Sequence, residues 1–192
     1  MKNLKKFIMT ALILVAVCIC FPSLSAVKAR AEEVDYSLIS EEIMHNFMQS
    51  IIGSVSTREM TQDEQLMACY EFVLDWMTYQ RDVNTPEGEW TKAYALEGFF
   101  TGRGNCYRYA TTFGYLAREL GYNVRICTGQ CTASKGGWTP HGWAEIEAPD
   151  GTWKIYDLSF GDSNRGKRNF FGITEEEHPR RLKVDNVWEL TY

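Results

Sequence analysis

The chain is poor in histidine: only His45, His141 and His178 stand among its 192 residues. A structural zinc site needs four ligands from a compact set. Three widely spread histidines do not supply one, so neither a metal nor another cofactor is expected. The chain also lacks internal repeats and low-complexity segments, which leaves an ordinary folded domain with 45% hydrophobic and 14% aromatic residues.

Basic residues are scarce once the first segment is set aside. Lys2, Lys5 and Lys6 precede an apolar run from Phe7 to Phe21, and Ala29-Arg30-Ala31 follows. This is the pattern of a secretion signal with a small-x-small cleavage site, and the run is short for a membrane span of roughly 20 residues. Cleavage after Ala31 is expected. It removes five of the 20 basic residues and none of the 25 acidic ones, leaving a net charge of −10. Such a chain offers no nucleic-acid partner and no basic patch for anionic lipid. It is expected outside the cell or at its surface, as a monomer with no membrane anchor after cleavage. The C-terminal VWELTY shows no sorting signal.

Four cysteines remain after cleavage: Cys69, Cys106, Cys127 and Cys131. Cys69 lies in an apolar helical stripe and reads as a buried thiol. Cys127 and Cys131 are candidates for a disulfide, as expected of an oxidising compartment. Cys106 follows Gly102, Gly104 and Asn105 and opens a helical run to Leu120, closed by Gly121. A thiol at a helix N-terminus sits where the helix dipole favours a thiolate.

The remaining pattern predicts α+β, with helices first and an antiparallel sheet second. Ile39, Ile43, Phe47 and Ile51 mark a helix over 37–54. Thr61 and Glu64 form a capping-box pattern for a second, ending near Tyr79. A loop over 81–88 and a short helix over 92–100 precede the Cys106 helix. Strands are expected over 123–128, 141–147, 152–158 and near 181–190, with a glycine-rich loop over 132–139. The implied organisation is a signal over 1–31, a helical extension over 32–60 and a catalytic domain over 61–192.

A thiol needs a base to become a nucleophile. His45 reads as a plain surface residue, and His178, in Glu-Glu-Glu-His-Pro-Arg, as a solvated one. His141 is expected to open a strand after the glycine-rich loop. If Glu147 pairs with Gly151 around Pro149, partners sum to 298 and His141 falls opposite Asp157 on one face. A carboxylate beside an imidazole fixes its tautomer. Cys106, His141 and Asp157 are then nucleophile, base and orienter for acyl transfer. The Cys106 backbone N–H would serve an oxyanion hole, with Tyr94 or Trp90 as a second donor. Trp143 and Trp153 read as cross-strand packing, and Trp138 as exposed and groove-lining.

These residues also carry a resemblance. Gly104-Asn105-Cys106-Tyr107-Arg108-Tyr109-Ala110, Gly121-Tyr122-Asn123-Val124-Arg125, His141-Gly142-Trp143 and Gly151-Thr152-Trp153-Lys154-Ile155-Tyr156-Asp157 stand in the order found in the transglutaminase-like superfamily. The helix from Glu64 to Asp82 also looks like the one before that core, so the resemblance spans about residues 62–160. It implies a circularly rearranged papain-like core and a triad of Cys106, His141 and Asp157. Cross-linking enzymes, cysteine peptidases, amidases and non-catalytic members share that core. The extra β-domains and acidic calcium loop of the large calcium-dependent enzymes have no counterpart here, which favours hydrolysis over cross-linking. The expected substrate is a protein, a peptide or a cell-wall peptide. The alternatives are a surface module that binds peptide, peptidoglycan or glycan, and a disulfide-bonded structural protein with Cys106 oxidised.

Overall fold

The computed structural model describes residues 39–82 and 84–190. The expected signal over 1–31 lies outside them. Helix α1 spans Glu41–Val55 and is capped by the Ser40 side chain. Helix α2 spans Gln62–Trp76, and the Thr61–Glu64 capping box forms in both directions. It ends three residues earlier than expected, because Thr78–Tyr79 leaves as strand β1 to pair in parallel with β2, Arg103–Gly104. Helix α3 spans Thr91–Thr101 and helix α4 spans Cys106–Glu119.

Four strands follow: β3 Val124–Thr132, β4 Trp138–Glu147, β5 Trp153–Tyr156 and β6 Leu182–Glu189. A short helix α5, Leu158–Ser163, stands between β5 and β6. The sheet is antiparallel in the order β5-β4-β3-β6. The α+β expectation therefore holds.

The β3–β4 hairpin is longer than the sequence suggested. Trp138, Thr139 and Pro140 pair with Thr132, Cys131 and Gln130, so only 133–137 form the turn. Gly136 and Gly137 take positive φ there, and Ala133 donates to the Gly137 carbonyl. His141 thus stands fourth in β4 instead of opening it.

The β4–β5 register also differs from expectation. Partners sum to 300, from Glu147–Trp153 to Ala144–Tyr156. The reason lies in the turn. Ala148 donates to the Thr152 carbonyl, closing a three-residue loop in which Gly151 holds φ +82°. A shift of two preserves the face on which each side chain stands.

Helix α4 is the centre of the molecule. Ala110, Phe113, Leu116 and Ala117 are buried, packed between the other helices and the sheet residues Val124, Ile126, Ala144 and Ile146. Gly114 allows the close approach: a Cβ there would fall 2.8 Å from Ile126 Cδ1. The helix ends in a Schellman motif, with Gly121 at φ +91° donating to Arg118 and Tyr122 donating to Ala117. A second, smaller core of Cys127, Trp143, Ile155, Phe170 and Ile173 forms apart from the first. Among the described residues no helix is long and apolar enough to cross a membrane.

Candidate active site

Cys106 is the first residue of α4, and the preceding turn explains why the helix begins there. The Asn105 side chain accepts from the Arg108 N–H, and its own amide donates to the Asp82 carbonyl. Thr78 and Gln80 donate to the Gly102 and Gly104 carbonyls, tying this turn to the end of α2. Cys106 is buried, and its backbone N–H, at the first helical position, has no intrahelical acceptor.

Gly142 then sets the distance between α4 and β4. A Cβ at Gly142 would fall 2.4 Å from the Tyr107 ring. Only a glycine lets Tyr107, the neighbour of Cys106, come this close to the strand that carries His141.

His141 is buried, roughly parallel to Trp143 and edge-on to Phe160. Its Nε2 meets Asp157 Oδ2 at 2.6 Å. The Cys106 thiol acts on the same imidazole, and with Nε2 engaged by Asp157 the nitrogen left for it is Nδ1. The three side chains expected to act together thus meet at one place.

Asp157 does not stay in β5. The chain turns at this point, and Asp157 becomes the N-cap of α5. Its Oδ1 accepts from the Phe160 N–H and the Ser159 hydroxyl, at 3.1 and 3.0 Å. This turn brings the carboxylate to His141 even though β4 and β5 are registered two residues from the expected pairing.

The electrostatics follow from burial and charge. Burial by itself would raise the Asp157 pKa. The charges and hydrogen bonds of His141 and His178 outweigh it and hold the carboxyl well below the usual range. Burial by itself would lower His141, but Asp157 and the Cys106 thiol outweigh that and keep the imidazole well above its ordinary value. Burial pushes Cys69 up to about 12 and also raises Cys127 and Cys131.

His178 is the residue that the sequence reading missed. Instead of being solvated, its side chain is buried, with Nε2 3.2 Å from Asp157 Oδ2 and Nδ1 2.9 Å from the Arg180 carbonyl. The cause is an ordered turn. Thr174 and Glu177 exchange backbone-to-side-chain hydrogen bonds, and Phe160 and Phe170 pack edge-on around the imidazole. The T-x-x-E spacing ahead of His178 was the available signal.

The remaining expectations divide. Cys127 and Cys131 are both free, as are Cys69 and Cys106. Four residues of extended strand place their Cα atoms roughly 13 Å apart, whereas a disulfide requires less than about 7 Å. The expected bridge is therefore not made. Trp138 is exposed, with Arg181 over its ring, and Trp143 is buried. Trp90 is buried edge-on to Tyr107, while Tyr94 lies under the Arg108 guanidinium. His45 is a surface residue paired with Glu119. Among the described residues no group of three His, Cys, Asp or Glu is placed to hold a metal ion. A cleft of about 290 Å³ is lined by Thr85, residues 128–130, Pro140, Asp185 and Asn186.

Comparison with known proteins adds the lineage. No curated protein sequence matches the chain. Similar solved structures include a candidate cysteine protease from Cytophaga hutchinsonii, 14% identical with a TM-score of 0.44 over 71% of this chain and 45% of that one. Another is a TGase, 13% identical with a TM-score of 0.47 over 84% of this chain and 43% of that one. The chain thus matches under half the length of either. The model of the transglutaminase-like superfamily matches residues 47–158, more than half of the chain. The chain belongs to the transglutaminase-like superfamily.

Proposed function

We propose that the protein is a secreted thiol enzyme that opens amide or peptide bonds, with residues 61–192 carrying the chemistry. The observation that supports this most directly is the buried line Cys106–His141–Asp157 at the N-terminus of α4. In this reading Cys106 passes its proton to His141 Nδ1 and its Sγ attacks the substrate carbonyl carbon. The Cys106 N–H receives the developing oxyanion. Trp90 is the better second donor, because its indole N–H is buried with no acceptor among the described residues. His141 gives its Nδ1 proton to the departing amine, leaving a thioester on Cys106. Water then loses a proton to His141 and attacks the thioester, releasing the acid and restoring the thiol–imidazole pair. An amine in place of water would give transfer instead of hydrolysis.

Asp157 keeps the His141 ring in the orientation that points Nδ1 at sulfur. The cleft between β3, β4 and β6 is the proposed substrate groove, with Thr85 on one wall. Its Gln130, Asn186 and Asp185 side chains suit a polar peptide backbone.

The test is the rate of Cys106 alkylation by iodoacetamide against pH, in the wild type and in His141→Ala. An activated pair alkylates well below the free-thiol pKa of about 8.5, and the variant loses that rate. An ordinary thiol titration, unchanged by the substitution, would move the reading to a surface module that binds its ligand without chemistry. Peptide cleavage against incorporation of a fluorescent primary amine into casein separates hydrolysis from transfer.

A further inference from the structure

Asp157 Oδ2 serves two histidines at once. His141 Nε2 lies 2.6 Å away and His178 Nε2 lies 3.2 Å away. The wiring of His178 determines which of its nitrogens carries the proton. Its Nδ1 is 3.2 Å from the Arg180 N–H and 2.9 Å from the Arg180 carbonyl. A neutral His178 accepts from that N–H, so its proton stands on Nε2. A charged His178 donates from Nδ1 to that carbonyl and from Nε2 as well. In both states Nε2–H points at Asp157. The remaining tautomer would set a lone pair against a full carboxylate charge, a stronger repulsion than that of the Nδ1 lone pair against the neutral Arg180 carbonyl.

We propose that His178 is a positioning residue that tempers the catalytic pair: its Nε2–H shares Asp157 Oδ2 with His141 and limits how strongly that oxygen holds the imidazolium. The inference rests on the reading of Cys106 and His141 as a working pair. Its chemical sense is in the acid step. His141 must release a proton to the leaving amine, and an imidazolium bound to an unshared, buried carboxylate is reluctant to do so. Each hydrogen bond donated to the carboxylate draws off part of its charge. Oδ1 is already held by Ser159 and Phe160, so Oδ2 is where the strength of the pull is set.

The surroundings leave this role to His178. Among the described residues, the titratable groups coupled electrostatically to the pair include Cys106 on α4, Cys131 on β3, Tyr79 on β1 and Tyr70 on α2. The walls around the His178 ring are the neutral rings of Phe160 and Phe170.

The test is the His141 titration midpoint in the 15N-labelled protein, followed through its imidazole nitrogens. His178→Phe keeps a ring among aromatic neighbours and removes the donor. His178→Gln keeps an N–H at a similar reach. The expected result is a rise of the His141 midpoint by about half a pH unit or more in His178→Phe, and a near-native midpoint in His178→Gln. A midpoint that stays or falls in His178→Phe overturns the proposal, as does an equal rise in both variants. If His178→Phe does not fold, the wild type decides: His178 Nε2 must carry its proton from pH 5 to 9, and a bare Nε2 overturns the proposal. Failure of the underlying function reading is seen separately, as ordinary thiol alkylation of Cys106 in the wild type and in His141→Ala alike.

Discussion

At the residue scale, the behaviour of the site follows from one buried carboxylate with four donors around it. Asp157 Oδ1 and Oδ2 accept from two histidines, a hydroxyl and a backbone N–H. Replacing Asp157 with Asn removes the charge while keeping the shape. The expected outcome is a His141 midpoint that falls toward the ordinary 6.5 and a turnover lower by roughly 10²-fold or more. Imidazole titration and substrate cleavage check the two parts. Asp157 is depressed in the fold, so its contribution to stability is present above about pH 4 and is lost as pH falls below it. His141 is raised, so its contribution is complete below about 6.5 and is lost as pH climbs through its folded value. The pair therefore stabilises most between about pH 4 and 6.5. Thermal melts against pH should show that window in the wild type and a flattened profile in Asp157→Asn.

Gly142 makes a second prediction at this scale. An added methyl would press on the Tyr107 ring from 2.4 Å. Gly142→Ala is expected to cost about 1–3 kcal/mol and to slow Cys106 alkylation, because Tyr107 carries the nucleophile's neighbouring backbone. Denaturant melts with iodoacetamide kinetics measure both. A variant as stable and as reactive as the wild type would show that the spacing of α4 from β4 is set elsewhere.

At the element scale, the sheet depends on a bulge. The β3–β6 register shifts between Thr128 and Gly129, and a Cβ on Gly129 would meet the Lys183 carbonyl oxygen at 1.9 Å. Here the obstacle is backbone, which cannot swing aside. Gly129→Ala should detach part of β6 from β3, seen as faster amide exchange over Leu182–Glu189. The same strand contributes Asp185 and Asn186 to the cleft, so the variant should also disturb that groove. The capping box at α2 is a milder case. Thr61→Ala should cost about 1 kcal/mol without touching the site, since Thr61 bonds only within its own turn.

At the scale of the whole molecule, the four cysteines offer a simple reading of the fold. All four are buried free thiols, and burial raises the pKa of Cys69, Cys127 and Cys131. The denatured protein, cleaved after Ala31, should titrate four thiols with Ellman's reagent. The native protein should show one fast thiol, Cys106, with Cys69, Cys127 and Cys131 reacting only as the chain opens. Two thiols in the denatured count would mean a bridge that the geometry of β3 does not allow.

Much of this architecture is local, and local structure is what a sequence can express. The Thr61–Glu64 box, the Asn105–Cys106 helix start, the Gly121 stop and the Pro149–Gly151 turn are each encoded within a few residues. The parity of the β4–β5 face was also legible, because side chains alternate with a period of two whatever the register. That parity put His141 and Asp157 on one side in the sequence, although in the structure the turn into α5 is what brings the carboxylate to His141. What it did not contain was the length of the β3–β4 hairpin or the two-residue shift of β5, both set by hydrogen bonds that close across turns. Nor did it contain His178. Its burial depends on Phe160, Phe170 and Asp157, residues that meet it only after the chain has folded back over the sheet. The sequence by itself determined the nucleophile's helix, the order of elements and two of the residues that face each other. Tertiary structure decided which histidines share the carboxylate and which cysteines stay apart, because those depend on distances between segments that no local pattern sets.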